Sequence, residues 1–433
     1  MKDHRKFVPR VVSAATLSSL TVLSTLLAHI SLPAHASGYE KSIIWGGRSS
    51  GVGGIATPYV TGAEALYFNP AGLVSDRTGQ EVALDVSPTW SQFKGPVNNQ
   101  NDIEESERTL STPFGLIYSA TLNEKIGFGF GGYVSGGAVA KYEDVSFAGL
   151  AGTADVETNL IVTELSAGVG YKLLDNLKLG LAWRVSMADA KFSFVKRGAG
   201  GSVTNLTVSE LQDTNFTGFK LGAQWDVSEA TKVGFTYRSK VKFLAEGNAE
   251  GNLLTTSVTP LAEHTVDAAT QFPMAAALGA QHDLNADWRI LGEYVWTNYS
   301  EVDSITLTDK TPAGAFNYSS KIQQDWKDQH NIRLGGEYLA LTWPIRFGYV
   351  WTSQVTSDDY ARAAFTPPGM AHTFTAGTGT DFGESFRFDA GIEYTMVEGE
   401  GTGAAAGNTS EDIRAGTYEA EAYAVHLGLN YYF

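Results

Sequence analysis

The 433-residue chain carries 47 Asp and Glu against 31 Lys and Arg, a formal net charge of −16. So acidic a surface argues against a nucleic-acid partner, which would select a basic one. With no cysteine there is no disulfide framework and no thiolate metal site.

The N-terminus reads as an export signal. Lys2, Arg5, Lys6 and Arg10 form a basic stretch, 11–30 is mostly apolar, and Ala34-His35-Ala36 is a small-x-small cleavage site. Residues 1–36 are therefore expected to be a cleaved signal peptide. Set against Asp3, the four basic residues give this leader a net charge of +3, so its removal takes the chain from −16 to −19. Nothing after residue 36 approaches the roughly 18 consecutive apolar residues of a membrane-crossing helix. A membrane location would then require a closed barrel, which satisfies every backbone group in lipid.

Residues 37–79 follow, rich in Gly, Ala and Ser and without strand alternation. From about Gln80 the chain becomes a series of hairpins. Strands are expected at 81–92, 111–121, 126–141, 157–173, 177–191, 214–226, 231–245, 266–283, 287–300, 321–340, 344–356, 370–381, 385–397 and 418–433. They number fourteen, an even count as single-chain bacterial barrels require. Leu177, Leu179, Leu181 and Trp183 alternate with Lys178, Gly180, Ala182 and Arg184. In the last strand Tyr423, Val425, Leu427, Leu429, Tyr431 and Phe433 alternate with smaller or polar residues. A period of two separates two differently solvated faces. By itself the last strand fits the edge of a soluble sheet equally well.

The connections favour the membrane. Short turns near 122–125, 174–176, 227–230, 284–286, 341–343 and 382–384 alternate with long loops near 93–110, 142–156, 192–213, 246–265, 301–320, 357–369 and 398–417. Outer-membrane barrels place short turns on the periplasmic side and long loops outside. The expected architecture is an all-β, transmembrane antiparallel barrel of residues 80–433. About fourteen strands enclose more space than side chains alone fill, and residues 37–79 are the spare chain available to plug it.

Within that segment Glu64-Ala65-Leu66-Tyr67-Phe68-Asn69-Pro70-Ala71-Gly72-Leu73 contains an Asn-Pro turn initiator, which on physical grounds alone is an ordinary surface turn. Together with the preceding glycine-rich stretch from Gly46 to Gly54, with Trp326-Lys327-Asp328, and with Asp389-Ala390-Gly391-Ile392-Glu393-Tyr394, the run Asn69-Pro70-Ala71 resembles the FadL/TodX family of outer-membrane transporters of long-chain fatty acids and aromatic hydrocarbons. The resemblance spans 37–433 and is weakest in the loops. It implies an N-terminal hatch inside the barrel (37–79), gated around Asn69, Pro70, Ala71 and Gly72. It also implies a kink in the third strand that opens the wall. Gly131, Gly132, Gly136 and Gly137 are the candidates for that gap, since glycine within a strand marks a bend or a close approach. Room for the hatch on the lumen face is the other reading of the same glycines.

Lys196 and Arg197, in the third long loop, could receive a fatty carboxylate or be solvated loop charges. Acidic loop residues such as Glu104, Glu105, Asp358, Asp359, Glu411 and Asp412 could bridge divalent cations to lipopolysaccharide or simply face water. The histidines lack metal-ligand spacing, no cofactor is implied, and no Ser/His/Asp set stands out in the sequence. An outer-membrane lipase or protease assembled from distant strands is the enzymatic alternative. The expected function is passive, monomeric uptake of a hydrophobic ligand (a fatty acid or hydrocarbon): capture by the loops at 192–213 and 246–265, a hatch shift, and lateral release into outer-membrane lipid. The alternatives are a structural, secretion-associated or adhesive barrel, and a diffusive porin.

Overall fold

The computed structural model describes residues 41–433 except 42, 76, 78, 99–102, 198, 312–316 and 405–412. The expected signal peptide, residues 37–40 of the expected hatch, Glu411 and Asp412 thus lie outside the described residues. Among those described, no helix is long and apolar enough to cross a membrane.

The chain closes into an antiparallel barrel of 14 strands. In chain order they are β1 (Gly79–Val86 continued by Thr89–Pro96), β2 (Thr109–Ser111 and Phe114–Asn123), β3 (Ile126–Ser146), β4 (Thr153–Leu174), β5 (Leu177–Arg197), β6 (Val203–Asp226) and β7 (Thr231–Arg238 and Val241–Leu254). The second half comprises β8 (Val258–Phe272 and Ala275–Asp283), β9 (Trp288–Thr297), β10 (Gln329–Tyr338), β11 (Ile345–Thr352), β12 (Met370–Phe382), β13 (Phe386–Thr402) and β14 (Ala415–Tyr432). Closure is made by β14 on β1, with Glu81 opposite Tyr432 and Val86 opposite Leu427. Closure pairs the first and last strands, which would otherwise be edges in lipid.

The two faces follow the alternation. Along β14, Tyr423, Leu427, Leu429 and Tyr431 are exposed, while Ala424, His426 and Asn430 are buried in the lumen. Phe347 on β11 and Leu334 on β10 also face outward. This exposed apolar surface is the lipid-facing band of the barrel.

The outer connections differ from the expected loops. The segments at 192–213 and 246–265 are largely strand: β5 runs to Arg197 and β6 resumes at Val203, while β7 runs to Leu254 and β8 resumes at Val258. The two hairpins pair with each other, Ala249 opposite Val208 and Leu254 opposite Val203. The cause is the apolar set Leu206, Val208, Leu211 and Ala249, whose side chains pack in one buried cluster with Phe243, Val266, Phe272 and Trp326. Burying that face, at ~25 cal/mol per Å², favours continued pairing over separate loops. The expected strand over 321–340 is interrupted instead, with Ser320–Gln323 and β10 flanking the Trp326-Lys327-Asp328 segment.

Candidate functional site

The segment from Lys41 to Ser75 lies inside the barrel. It holds two short helical turns, α1 (Gly47–Ser50) and α2 (Ala65–Phe68), and a 3-10 turn at Pro70–Leu73. An irregular buried chain must place its backbone groups on partners, and here the wall supplies them. Gly47 N–H donates to Asp85 Oδ1 at 2.8 Å, Thr57 N–H to Glu293 Oε2 at 3.1 Å, and Ala63 N–H to Glu81 Oε2 at 3.1 Å. Arg333 Nη1 donates to the Gly54 carbonyl at 2.8 Å.

The Asn-Pro-Ala-Gly run makes a further set of these contacts. Asn69 caps the 3-10 turn by accepting from Ala71 N–H at 3.2 Å, with Pro70 at the first position, where its missing N–H costs nothing. Asn69 Nδ2 donates to the Thr57 carbonyl at 2.8 Å and to the Ala223 carbonyl of β6 at 3.0 Å. The wall yields to this turn at several glycines, among them Gly222 of β6 and Gly180 of β5. A Cβ on Gly222 would lie 2.0 Å from Asn69 Oδ1, and one on Gly180 would lie 2.2 Å from Ala71 N. Gly72 is itself buried, with the Val60 carbonyl 1.9 Å from where its Cβ would be.

Beside the hatch lies a cavity of ≈ 130 Å³. Ile43, Ile44, Trp45, Tyr67 and Phe68 line it from the hatch; Ala275, Ala276, Ala277, Lys220, Arg238, Arg333, Glu164 and Glu293 line it from the wall. Arg333 is paired with Glu293 at 3.0 Å. Glu164 is paired with the buried Arg184, whose Nε lies 2.9 Å from Oε2. Lys220 donates to the Tyr67 carbonyl and sits 5.0 Å above the Tyr67 ring. Three basic and two acidic side chains line the space, so its lining is net positive. Below the hatch, a second cavity of ≈ 160 Å³ is lined mainly by polar groups, among them Arg48, Glu64, Glu81, Arg387 and Asp389. Burial, then the neighbouring Asp85, Asp389 and Glu81 carboxylates, push the hatch Glu64 carboxyl well above its usual range, with Arg48 opposing.

Ladder pairing between β2 and β3 is interrupted. Regular pairing ends at Gly115 opposite Tyr133, and the strands meet again where Glu107 N–H donates to the Lys141 carbonyl at 2.8 Å. Both contacts belong to one register, yet 108–114 and 134–140 carry no β2–β3 pairs. A bulge between Val134 and Gly136 shifts β3 against β4 at the same level. Whereas Phe130 of β3 is exposed to lipid, every residue from Tyr133 to Ala140 is buried, so this stretch leans into the lumen. Gly136 and Gly137 lie in it; Gly131 and Gly132 lie in the regular ladder, opposite Ile117 and Leu116. The Trp45 indole N–H donates to the Val134 carbonyl at 2.9 Å, a contact between residues 89 positions apart that no local pattern announces.

Lys196 and Arg197 end β5, paired with Thr204 and Val203, and neither lines the cavity. A Ser-His-acid set absent from the sequence reading is assembled by the fold. Ser87 Oγ lies 2.8 Å from His426 Nδ1, and His426 Nε2 lies 3.0 Å from Glu393 Oε2. Ser87 and His426 are both 0% exposed, and Lys41 Nζ of the hatch lies 2.8 Å from Glu393 Oε1. With its serine sealed from solvent, the set acts as a buried tie between hatch and wall. Among the described residues, no group of three or more His, Cys, Asp or Glu is placed to hold a metal ion.

Comparison with known proteins places these features in a wider group. Residues 46–433 match the family described as outer membrane protein transport protein (OMPP1/FadL/TodX). A putative outer membrane protein of Neisseria meningitidis serogroup B is 23% identical over 232 residues, 49% of this chain and 50% of that protein, so the match spans about half that relative's length. The crystal structure of a Pseudomonas aeruginosa FadL homologue superposes with a TM-score of 0.73 at 16% identity, covering 93% of this chain and 99% of the other. The Pseudomonas putida toluene transporter TodX superposes with a TM-score of 0.71 at 16% identity, covering 92% and 99%. At these identities the structural likeness establishes the fold.

Proposed function

Since the chain belongs to the OMPP1/FadL/TodX family of outer-membrane transport proteins, we propose that it takes up hydrophobic small molecules passively and releases them sideways into the outer-membrane bilayer. The observation that carries this reading is the unpaired stretch 134–140, which adjoins a cavity walled by Trp45, Tyr67 and Phe68. The space beneath the hatch is lined by charged groups instead, a poor route for an apolar solute. Lateral exit keeps each CH₂ out of water, worth ~0.8 kcal/mol apiece. The ligand moves downhill into lipid, and no energy source is required within the chain.

In this reading residues 37–79 are the hatch, 80–433 the barrel, and 1–36 a leader removed on export. The turn Asn69-Pro70-Ala71-Gly72 is the pivot, and the break at Gly136 and Gly137, with Gly131 and Gly132 below it, is the exit. The net positive lining near Lys220 and Arg238 favours amphiphiles with an anionic head, such as fatty acids, over neutral hydrocarbons. Lys196 and Arg197 would act only at the outer surface, on first encounter.

Protein-containing liposomes test the plug directly. Deleting 38–72 should convert a tight barrel into a leaky pore for small polar solutes; unchanged conductance would overturn the hatch assignment. One observation favours a second reading as a structural or adhesive barrel: the outer hairpins are zipped together over a filled apolar interior. Protein-dependent uptake of a fluorescent fatty acid separates the two.

A further inference from the structure

Trp45 touches two regions that are otherwise separate. Its ring lines the lumen cavity, packed against Tyr67 (centroids 4.3 Å apart) and Phe68 (5.6 Å). Its N–H reaches past the cavity to the carbonyl of Val134, the first residue of β3 beyond the last β2–β3 pair. On the other side of the break, the last paired residue of β2 is Gly115. A Cβ there would lie 3.1 Å from the indole ring, so the ring is seated against both lips of the opening. It is 1% exposed, and its hatch segment continues into the Gly46–Gly47 turn, fastened by Gly47 N–H to Asp85.

We propose that Trp45 is the gate residue of the wall: a single indole that closes the β2–β3 break through its bond to Val134 and senses the cavity through its ring. This rests on the lateral-release reading. A ligand large enough to fill the cavity competes with the ring for space. The ring can leave only by giving up the Val134 bond, and the lips of the break then lose the group that fills them. Cavity occupancy and wall opening are coupled through one side chain, with no movement of the whole hatch required. The bulge at Val134–Gly136 has a role in this scheme, because it presents a carbonyl to the hatch.

The coupling is a positioning role, and it is linked to binding because the ligand displaces the ring. Trp45→Phe keeps an aromatic ring against Tyr67 and Phe68 but removes the N–H donor. The loss of one neutral buried hydrogen bond shifts a two-state gate by roughly 5-fold. Gly115→Ala leaves Trp45 intact and crowds its ring from the opposite lip. Each variant is made in an open form and in a stapled form, in which Thr109→Cys and Val139→Cys, opposite one another in the shared β2–β3 register, are bridged by a bifunctional maleimide. Heat-modifiable gel migration establishes that each barrel is folded. The readouts are the equilibrium affinity for a fluorescent fatty acid and its protein-dependent transfer rate into liposomes. Expected is transfer about 5-fold faster in open Trp45→Phe and faster also in open Gly115→Ala, affinity for the probe tightened by up to about 5-fold because the ligand no longer breaks the Val134 bond, and transfer abolished in every stapled form. If both variants transfer at the wild-type rate while the staple still blocks transfer, lateral release stands and the Trp45 gate is overturned. If the staple blocks nothing, the lateral reading fails and the gate falls with it.

Discussion

The side-chain amide of Asn69 donates to the carbonyl of Ala223 at 3.0 Å, fastening the hatch to β6 across 154 positions of sequence. The same amide group reaches Thr57 within the hatch, and its oxygen caps Ala71, so one buried side chain organises both the turn and its seat. Asn69→Ala removes these contacts together with a donation to the Phe235 carbonyl at 3.4 Å, and leaves the Thr57 carbonyl to Gln224 Nε2 at 3.3 Å. Hatch docking should weaken by ~2–3 kcal/mol while the barrel still folds. The check is single-channel recording: frequent openings to small ions in the variant, and heat-modifiable migration like that of the wild type.

The wall glycines beneath the turn test the same seat from the other side. In Gly222→Ala the new methyl meets Asn69 Oδ1 at 2.0 Å, with only that turn able to move. Gly292→Ala is the control, because its nearest neighbour would be 3.9 Å away. Limited proteolysis should cut the hatch of the first variant and spare the second.

Hatch docking should also depend on pH through Glu64. Burial, then Asp85, Asp389 and Glu81, hold its carboxyl well above the ordinary 4.5 in the docked state, with Arg48 opposing. Once the hatch leaves its seat, the group returns to its usual value and ionises first as pH rises. Docking is therefore strongest at acid pH and weakens as pH climbs from about 4.5 through the docked value. Ion leak measured between about pH 4.5 and pH 8 should rise with pH, and Glu64→Gln should flatten that dependence.

Arg184 and Glu164 form a fully buried pair within the wall, facing the lumen between β5 and β4. Glu164→Gln leaves the arginine charge without its counterion and should cost ~3–5 kcal/mol. Replacing both, as Arg184→Met with Glu164→Leu, should recover most of it. Urea titrations of refolding into lipid vesicles measure the difference, and equal losses in the single and double variants would contradict it.

The barrel was legible because its signals are local. Alternation along β14 and the short turns near 174–176 and 382–384 depend only on neighbouring residues and on a lipid face that tolerates no charge. The Asn69-Pro70 turn was legible for a similar reason, since an Asn cap before Pro announces itself. Beyond the membrane both strand faces meet water or protein, and alternation fades. Leu206, Val208 and Leu211 thus fell in an expected loop at 192–213, whereas they lie on β6 and pack in one buried cluster. The wall break was harder still. Gly131 and Gly132 pair normally, whereas Gly136 and Gly137, singled out with them, lie within the unpaired stretch Val134–Ala140, and glycine alone does not tell the two pairs apart. The closing contact of the break comes from Trp45, 89 positions away. The Ser87–His426–Glu393 tie was hidden for the same reason, since Ser87 and His426 are 339 positions apart.

Lateral release through the β2–β3 break is the central claim, and thiol-stapling the otherwise wild-type wall between 109 and 139 tests it most directly. Transfer of a fluorescent fatty acid into liposomes should fall to the protein-free rate when the staple is closed and recover when a cleavable linker is cut. Transfer that continues undiminished through the stapled barrel would contradict the account.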